Sequence, residues 1–167
     1  MKPYLAFLMA LCFGLELQAR IMTAWSYDSL GHKATFVAIA TPTKITTTTE
    51  HAALPNIRAG TNEIIGTGIE TSFEVLTVLK GDRSVRTFVL HHYVLAGSKE
   101  LMISGPRLVS FEPKDRKMYL LFLLKEGDGR YAAVSGQTDP LWSVMEFTGR
   151  LPNILHPNLD PTKAGHF

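Results

Sequence analysis

The stretch GTGIETSFEVLTVLK, from Gly66 to Lys80, is the clearest β-strand in the sequence. In an extended chain, successive side chains point to opposite faces, so alternate positions share a face. One face carries apolar and β-branched residues, namely Ile69, Thr71, Phe73, Val75, Thr77 and Leu79. The other face carries Glu70, Ser72 and Glu74. We therefore predict a strand with one face in a hydrophobic core and the other toward solvent.

Two hairpins are predicted from this strand toward the C-terminus. Lys80 to Asp82 form a turn, and the extended pattern resumes in VRTFVLHHYV, from Val85 to Val94. The segment MYLLFLL, from Met118 to Leu124, is apolar at every position and short for a helix, which predicts a central strand buried on both faces. Glu126 to Gly129 form a tight turn with glycines that accept positive φ, and Arg130 to Ser135 return as the partner strand.

Toward the N-terminus, Ala34 to Ala40 predict an early strand, and the β-branched run Thr46 to Thr49 continues it in extended conformation. His51 to Asn62 contain a proline and a glycine without periodicity, so we predict a long loop. A second irregular segment runs from Gly97 to Lys117. Its apolar part, Leu108 to Phe111, is expected either as a short strand or as a plug packed against the core.

These patterns predict an all-β protein, a small closed or nearly closed barrel of five or six strands. A short helix is compatible with Pro140 to Met145, and no longer helix is required after the N-terminal segment. After Phe147 the chain has three prolines and no apolar rhythm, so residues 148–167 are predicted to be a flexible, mobile tail.

The N-terminus has the order of a secretory signal peptide, which would form a signal helix: Lys2, then an apolar stretch from Leu5 to Leu15, then a short polar region. The apolar stretch is well short of the roughly 20 residues that span a bilayer, so no permanent membrane span is expected. Cleavage after Ala19 defines a signal peptide of residues 1–19, and cleavage after Ala24 is the alternative. Cys12 is the one cysteine of the chain, so the processed protein would contain no thiol or disulfide.

Length and charge limit the number of domains and the kinds of partner. The 167 residues suffice for one domain with a real core and not for two. The net charge is +2, and the basic residues are interspersed with acids instead of forming a stripe, so nucleic acid is not an expected partner. We expect a secreted or periplasmic protein.

The order of the motifs resembles the netrin-module domain, the OB-fold barrel that is also used by tissue inhibitors of metalloproteinases. It is most similar to uncharacterised bacterial exported versions. The residues that carry the resemblance are the strand Ala34 to Ala40, the segment Phe73 to Asp82, the block Tyr119 to Leu123, and the turns Asp128 to Tyr131 and Ser135 to Gln137. The resemblance implies an OB-like β-barrel domain over residues 25–147. The inhibitors chelate zinc through an N-terminal cysteine, and neither expected first residue here, Arg20 or Trp25, is one.

Few residues suggest chemistry. His91 and His92 are adjacent on a predicted strand, so their side chains point to opposite faces and cannot share one metal without a bulge. One of them is a candidate metal ligand, and two others would have to come from His51, Glu63, Glu70 or another strand. The favoured interpretation leaves one histidine toward solvent and one packed at the barrel rim. We predict no metal and no cofactor.

The remaining motifs are interpreted as structural. Ser104-Gly105-Pro106 and Ser135-Gly136-Gln137 lack the strand-to-helix elbow of a nucleophilic serine and are predicted turns, and Gly66-Thr67-Gly68 lacks the third glycine of a dinucleotide site. Glu126 and Asp128 are predicted to be solvated at a hairpin tip. Six aromatic residues are candidates for a binding platform on an open barrel face, although core or barrel-end packing is the favoured interpretation for most of them: Trp25, Tyr27, Tyr93, Tyr119, Tyr131 and Trp142.

The sequence therefore favours a non-enzymatic binding module that engages a protein partner through the loops His51 to Asn62 and Gly97 to Lys117. A metalloprotease inhibitor that acts through its mature N-terminus is the first alternative. An OB-fold binder of oligonucleotides or oligosaccharides is the second, and near-neutral charge and export argue against it. No catalytic residue is assigned.

Overall fold

The structure is a computed structural model, and it describes residues 24–59, 62–95 and 106–147. Within these residues there is one α-helix, α1 (Tyr27–Lys33). The six strands are β1 (Phe36–Ala59), β2 (Asn62–Lys80), β3 (Thr87–Leu95), β4 (Met118–Lys125), β5 (Tyr131–Ala133) and β6 (Val144–Phe147). Two 3-10 turns cover Pro113–Asp115 and Pro140–Trp142. The predicted signal peptide and the predicted tail lie outside the described residues.

Five of the strands form a ring. The sheet order is β1-β2-β3-β5-β4-β6, and β1 also pairs with β4, which closes the ring of β1 to β5. All pairings are antiparallel except β3 with β5, which run parallel and meet at Leu90 and Tyr131. β6 extends the sheet from β4 outside the ring. The protein is thus mostly β, as the sequence predicts.

The main core is one apolar cluster to which all five ring strands contribute. Phe73 is fully buried, and its ring stacks on Phe88 at 5.2 Å and meets Phe111 edge-on at 5.1 Å. Val109 and Phe111 enter this cluster from an irregular segment, so Leu108 to Phe111 act as the predicted plug and not as a strand.

β4 confirms the prediction of a strand buried on both faces. Tyr119, Leu121 and Leu123 belong to the main core. On the opposite face, Phe122 packs in a second cluster with Leu30 of α1. The helix is positioned by Ser26, whose hydroxyl oxygen accepts the Ser29 N–H at 3.1 Å as an N-cap.

The prediction of a loop from His51 to Asn62 is wrong, because β1 continues to Ala59 and pairs with β2 as far as Ala59 and Asn62. The register shifts between Ala53 and Arg58, and such an irregularity tolerates Pro55 within a strand. Proline and missing periodicity therefore mark a bulged strand here.

The predicted core face of β2 is correct for Ile69, Thr71 and Phe73, which are buried. It is wrong for Thr77, which is exposed, and for Leu79, which is 56% exposed. The register with β1 shifts between Ile39 and Ala40, and beyond that bulge the inward positions follow a different phase.

Within the described residues, no helix has the length and apolar character needed to cross a membrane.

Candidate functional site

An aromatic pocket lies where α1 approaches the 3-10 turn after β5. Its volume is about 300 Å³, at the lower end of the range of small-ligand sites. Among the described residues, the lining consists of large apolar side chains and one cation: Trp25, Tyr27, Leu30, Arg107, Leu141, Trp142 and Met145. We call this site the aromatic pocket.

One wall of the aromatic pocket comes from α1 and the residue that precedes its cap. Leu30 is 2% exposed and fixes the helix on the ring. Trp25 is half-buried, and the Lys33 ammonium lies 4.5 Å from the centre of its ring. This distance is within the range of a cation–π contact, so the last turn of α1 holds the indole in place.

The other wall comes from two segments joined by backbone hydrogen bonds. The Arg107 N–H donates to the Thr138 carbonyl at 3.0 Å, and the Leu141 N–H donates to the Arg107 carbonyl at 3.3 Å. The Arg107 guanidinium is then placed 5.2 Å from the centre of the Trp142 ring, a second cation–π contact. Both tryptophan rings therefore have a cationic side chain packed against them.

The turn that presents Trp142 is braced by two serines. Ser143 is fully buried, and its hydroxyl oxygen accepts the Ser135 N–H at 2.8 Å. The Ser135 hydroxyl donates to the Asp139 carbonyl at 2.7 Å. Gly136 has φ of +86° and completes the turn, which confirms the structural interpretation of Ser135-Gly136-Gln137. Neither serine has a histidine partner in these contacts.

Chemically, the aromatic pocket can hold an apolar group. Tyr27 and Leu141 remain 55% and 49% exposed, so the pocket has uncovered apolar surface at its rim. Burial of such surface by a ligand is favourable, at roughly 25 cal/mol per Å² of apolar area.

A second feature is a charged cluster on the outside of the ring, around His91. Its Nδ1 lies 3.0 Å from Glu126 Oε2 in a hydrogen bond. Its Nε2 lies 3.3 Å from Glu50 Oε2, outside hydrogen-bond geometry. His91 is 4% exposed, so the prediction that one of the two histidines faces solvent is wrong. The carboxylates cover it.

Glu50 also links the cluster to β3, because the Tyr93 hydroxyl donates to Glu50 Oε1. This hydrogen bond is the main cause that lowers the pKa of Glu50. Burial, followed by the same bond, raises the pKa of Tyr93 to about 12. Glu50 is therefore a carboxylate and Tyr93 a phenol over the neutral pH range.

Arg130 neutralises much of the negative charge in the cluster. Its Nη1 lies 3.2 Å from Glu70 and 3.5 Å from Glu50, and its Nε lies 2.7 Å from Asp128 and 3.9 Å from Glu126. Burial acts against the charged form, but the Asp128 hydrogen bond and the surrounding carboxylates raise the pKa of Arg130. The prediction that Glu126 and Asp128 are merely solvated is therefore wrong.

The charged cluster does not form a metal site. The two His91 ring nitrogens face different carboxylates, so the donors do not converge on one point. More generally, no group of three or more His, Cys, Asp or Glu side chains among the residues that the structure describes is arranged to hold a metal ion. His51, a proposed further ligand, is exposed and lies 3.3 Å from Thr67 Oγ1.

His92 points to the other face of β3, as predicted. Its Nε2 lies 2.9 Å from Thr71 Oγ1, and its ring meets Phe111 edge-on at 5.3 Å. Burial, and secondarily the charge of His91, lower the pKa of His92 to about 4. His92 is therefore a neutral core residue at pH 7.

The structure brings together part of the predicted aromatic set. Trp25, Tyr27 and Trp142 line the aromatic pocket. Tyr119 and Tyr131 belong to the main core, and Tyr93 packs at the far part of the β1–β2 hairpin. Arg107 was not singled out by sequence reasoning, and no spacing signal links it to either tryptophan.

Comparisons with protein-family models, with curated proteins and with solved structures find no match to this chain.

Proposed function

We propose that this protein is an exported, non-enzymatic binding module that engages a protein partner through the aromatic pocket. The observation that carries the proposal is the pocket itself: two tryptophans and a tyrosine around about 300 Å³, with apolar surface left uncovered at the rim. Tryptophan, tyrosine and arginine are the residue types that dominate binding energy at protein interfaces.

We further propose that the ring is an OB-like barrel related to the netrin module. Support comes from five strands closed around one apolar interior, with the parallel β3–β5 pairing that makes the order non-sequential. Of the two loops predicted to bind, one is strand β1, and the other contributes Arg107 to the aromatic pocket. We therefore propose the aromatic pocket, and not the two loops, as the binding surface.

The test is site-specific photo-cross-linking in cells that produce the full chain. A photoreactive phenylalanine analogue at Leu141, on the pocket rim, should form an adduct with a protein of the envelope or secreted fraction. The matched control is Leu76, 54% exposed on β2 and outside the pocket lining. Adducts that appear equally from both positions, or that persist from Leu141 in a Trp142→Ala background, would contradict the proposal.

A second candidate function, inhibition of a metalloprotease through the mature N-terminus, is favoured by one observation. Trp25, the first residue after cleavage at Ala24, is half-buried in the aromatic pocket and is followed directly by the Ser26 cap of α1. A terminus held in this way has already lost conformational freedom without a disulfide, which lowers the cost of binding.

N-terminal sequencing of the exported protein, followed by inhibition assays against a panel of zinc proteases, tests this candidate. A mature chain that begins at Trp25 should slow at least one protease at micromolar concentration, whereas a chain extended by one alanine should not. Equal inhibition by both chains, or none by either, would rule the mechanism out.

A further inference from the structure

The aromatic pocket is flanked by cations on both of its walls. Lys33 stacks on Trp25 from α1, and Arg107 stacks on Trp142 from the opposite segment. Both cationic side chains are exposed, so they can reach a bound ligand. Neither has a carboxylate within ion-pair distance in the described part of the chain. Each cationic side chain is thus positioned by an aromatic ring and is not paired with a carboxylate of the described residues.

Three acidic residues lie within two positions of a lining residue in the sequence, and each is engaged. Glu146 Oε2 lies 3.1 Å from Lys117 Nζ. The Asp28 carboxylate lies 3.4 Å from His32 Nε2 on the same helix. The Asp139 carboxylate accepts the Arg107 backbone N–H at 3.3 Å. None of the three acids lines the aromatic pocket, and among the residues that the structure describes Arg107 is the one charged residue of the lining. The charge presented to a ligand is thus positive around an apolar centre.

From this arrangement we infer that the aromatic pocket takes an acidic segment of the partner protein, in which one large apolar side chain is flanked by carboxylates. The apolar side chain fills the space between the indoles, and the carboxylates meet Lys33 and Arg107. This inference depends on the proposed function and names the chemistry of the partner. Complementary charge of this kind contributes to specificity and to association rate.

Three capped peptides test the inference: Glu-Asp-Leu-Asp-Glu, its neutral counterpart Gln-Asn-Leu-Asn-Gln, and Glu-Asp-Gly-Asp-Glu, which lacks the apolar group. The readout is intrinsic tryptophan fluorescence of the exported protein. The chain contains two tryptophans, and both line the aromatic pocket, so the signal reports on this site.

The acidic leucine peptide should bind more tightly than both others. Each exposed ion pair contributes about 0.2 to 1 kcal/mol, so loss of each cation should weaken binding by about 1.4-fold to about fivefold. Lys33→Gln and Arg107→Gln should each show this loss, and added salt should reduce the advantage of the acidic peptide. The matched control Lys44→Gln, an exposed lysine on β1, should leave the affinity unchanged.

Equal affinity for the acidic and neutral leucine peptides would overturn the inference while leaving the pocket as a binding site. Equal affinity for the two acidic peptides would also overturn it, because the apolar centre would then play no part. If no peptide binds, the inference fails, and cross-linking from Leu141 decides separately whether a partner of different chemistry uses the pocket.

Discussion

Acid should destabilise this protein through the buried side chain of His92. In the folded state the pKa of His92 is lowered to about 4, mainly by burial, against 6.5 for a free histidine side chain. Between these two values the unfolded chain binds a proton that the folded protein does not. Stability therefore rises with pH in this window and falls as the pH is lowered through it.

The magnitude follows from the two pKa values. Below pH 4 both states are protonated, and above pH 6.5 neither is, so the loss is confined to the interval between them. At pH 5 the His92 side chain is almost fully protonated in the unfolded chain and mostly neutral in the folded protein. The free energy of unfolding is therefore about 2 kcal/mol lower at pH 5 than at pH 7. This is a large share of the stability of a small domain.

Urea denaturation of the exported protein at pH 7 and pH 5 measures the effect. His92→Gln retains a polar group opposite Thr71 but cannot titrate, so its loss between the two pH values should be about 2 kcal/mol smaller than that of the wild type. The matched control is His32→Gln, because that side chain is 80% exposed. If the wild type and His92→Gln lose the same stability, the burial argument for His92 is wrong.

Three further predictions concern stability, each measured by denaturant unfolding at pH 7. Phe73→Ala should lower the free energy of unfolding by about 3 to 5 kcal/mol, because it truncates a fully buried ring. Leu76→Ala, on the exposed side of β2, should change it by no more than about 0.5 kcal/mol. Similar losses for the two substitutions would contradict the assignment of Phe73 to the inward face of the strand. Arg130→Met should cost about 1 to 3 kcal/mol by leaving four carboxylates uncompensated, and Glu70→Gln in that background should recover part of the loss. Gly81→Ala should lower the free energy of unfolding by more than about 1 kcal/mol, because φ is +100° and the added Cβ would lie 2.8 Å from a backbone carbonyl oxygen. An unchanged stability would show that Gly81 does not have this backbone conformation.

Local pattern predicted the strands well where alternation or continuous apolarity was strong. Met118 to Leu124 is confirmed as a strand buried on both faces, and the hairpin of β2 with β3 is confirmed as well. Pattern failed at bulges, because one extra residue changes which positions face inward. Leu79 and the segment His51 to Ala59 are both examples, and in each case the register with the partner strand decided the outcome.

The candidate site was only partly predictable. Three of its aromatic residues were recognised as candidates, but the same reasoning applied equally to Tyr119 and Tyr131, which lie in the core. The spacing of residues in the sequence does not indicate that α1 packs near a turn more than a hundred residues away. The charged cluster around His91 was missed for the same reason, since its members come from three strands and a hairpin turn.

The aromatic pocket follows from the apolar character of β4. A strand that is apolar on both faces can bury only one of them inside a ring, so the other face needs a cover. Leu30 of α1 supplies that cover over Phe122, and Met145 of β6 packs beside it. Since α1 is only seven residues long, its cover ends within two turns, and the residues at its border remain partly open. The uncovered margin of this outer cluster is where Trp25, Trp142 and Arg107 meet, so the element that secures the fold also creates the proposed binding site.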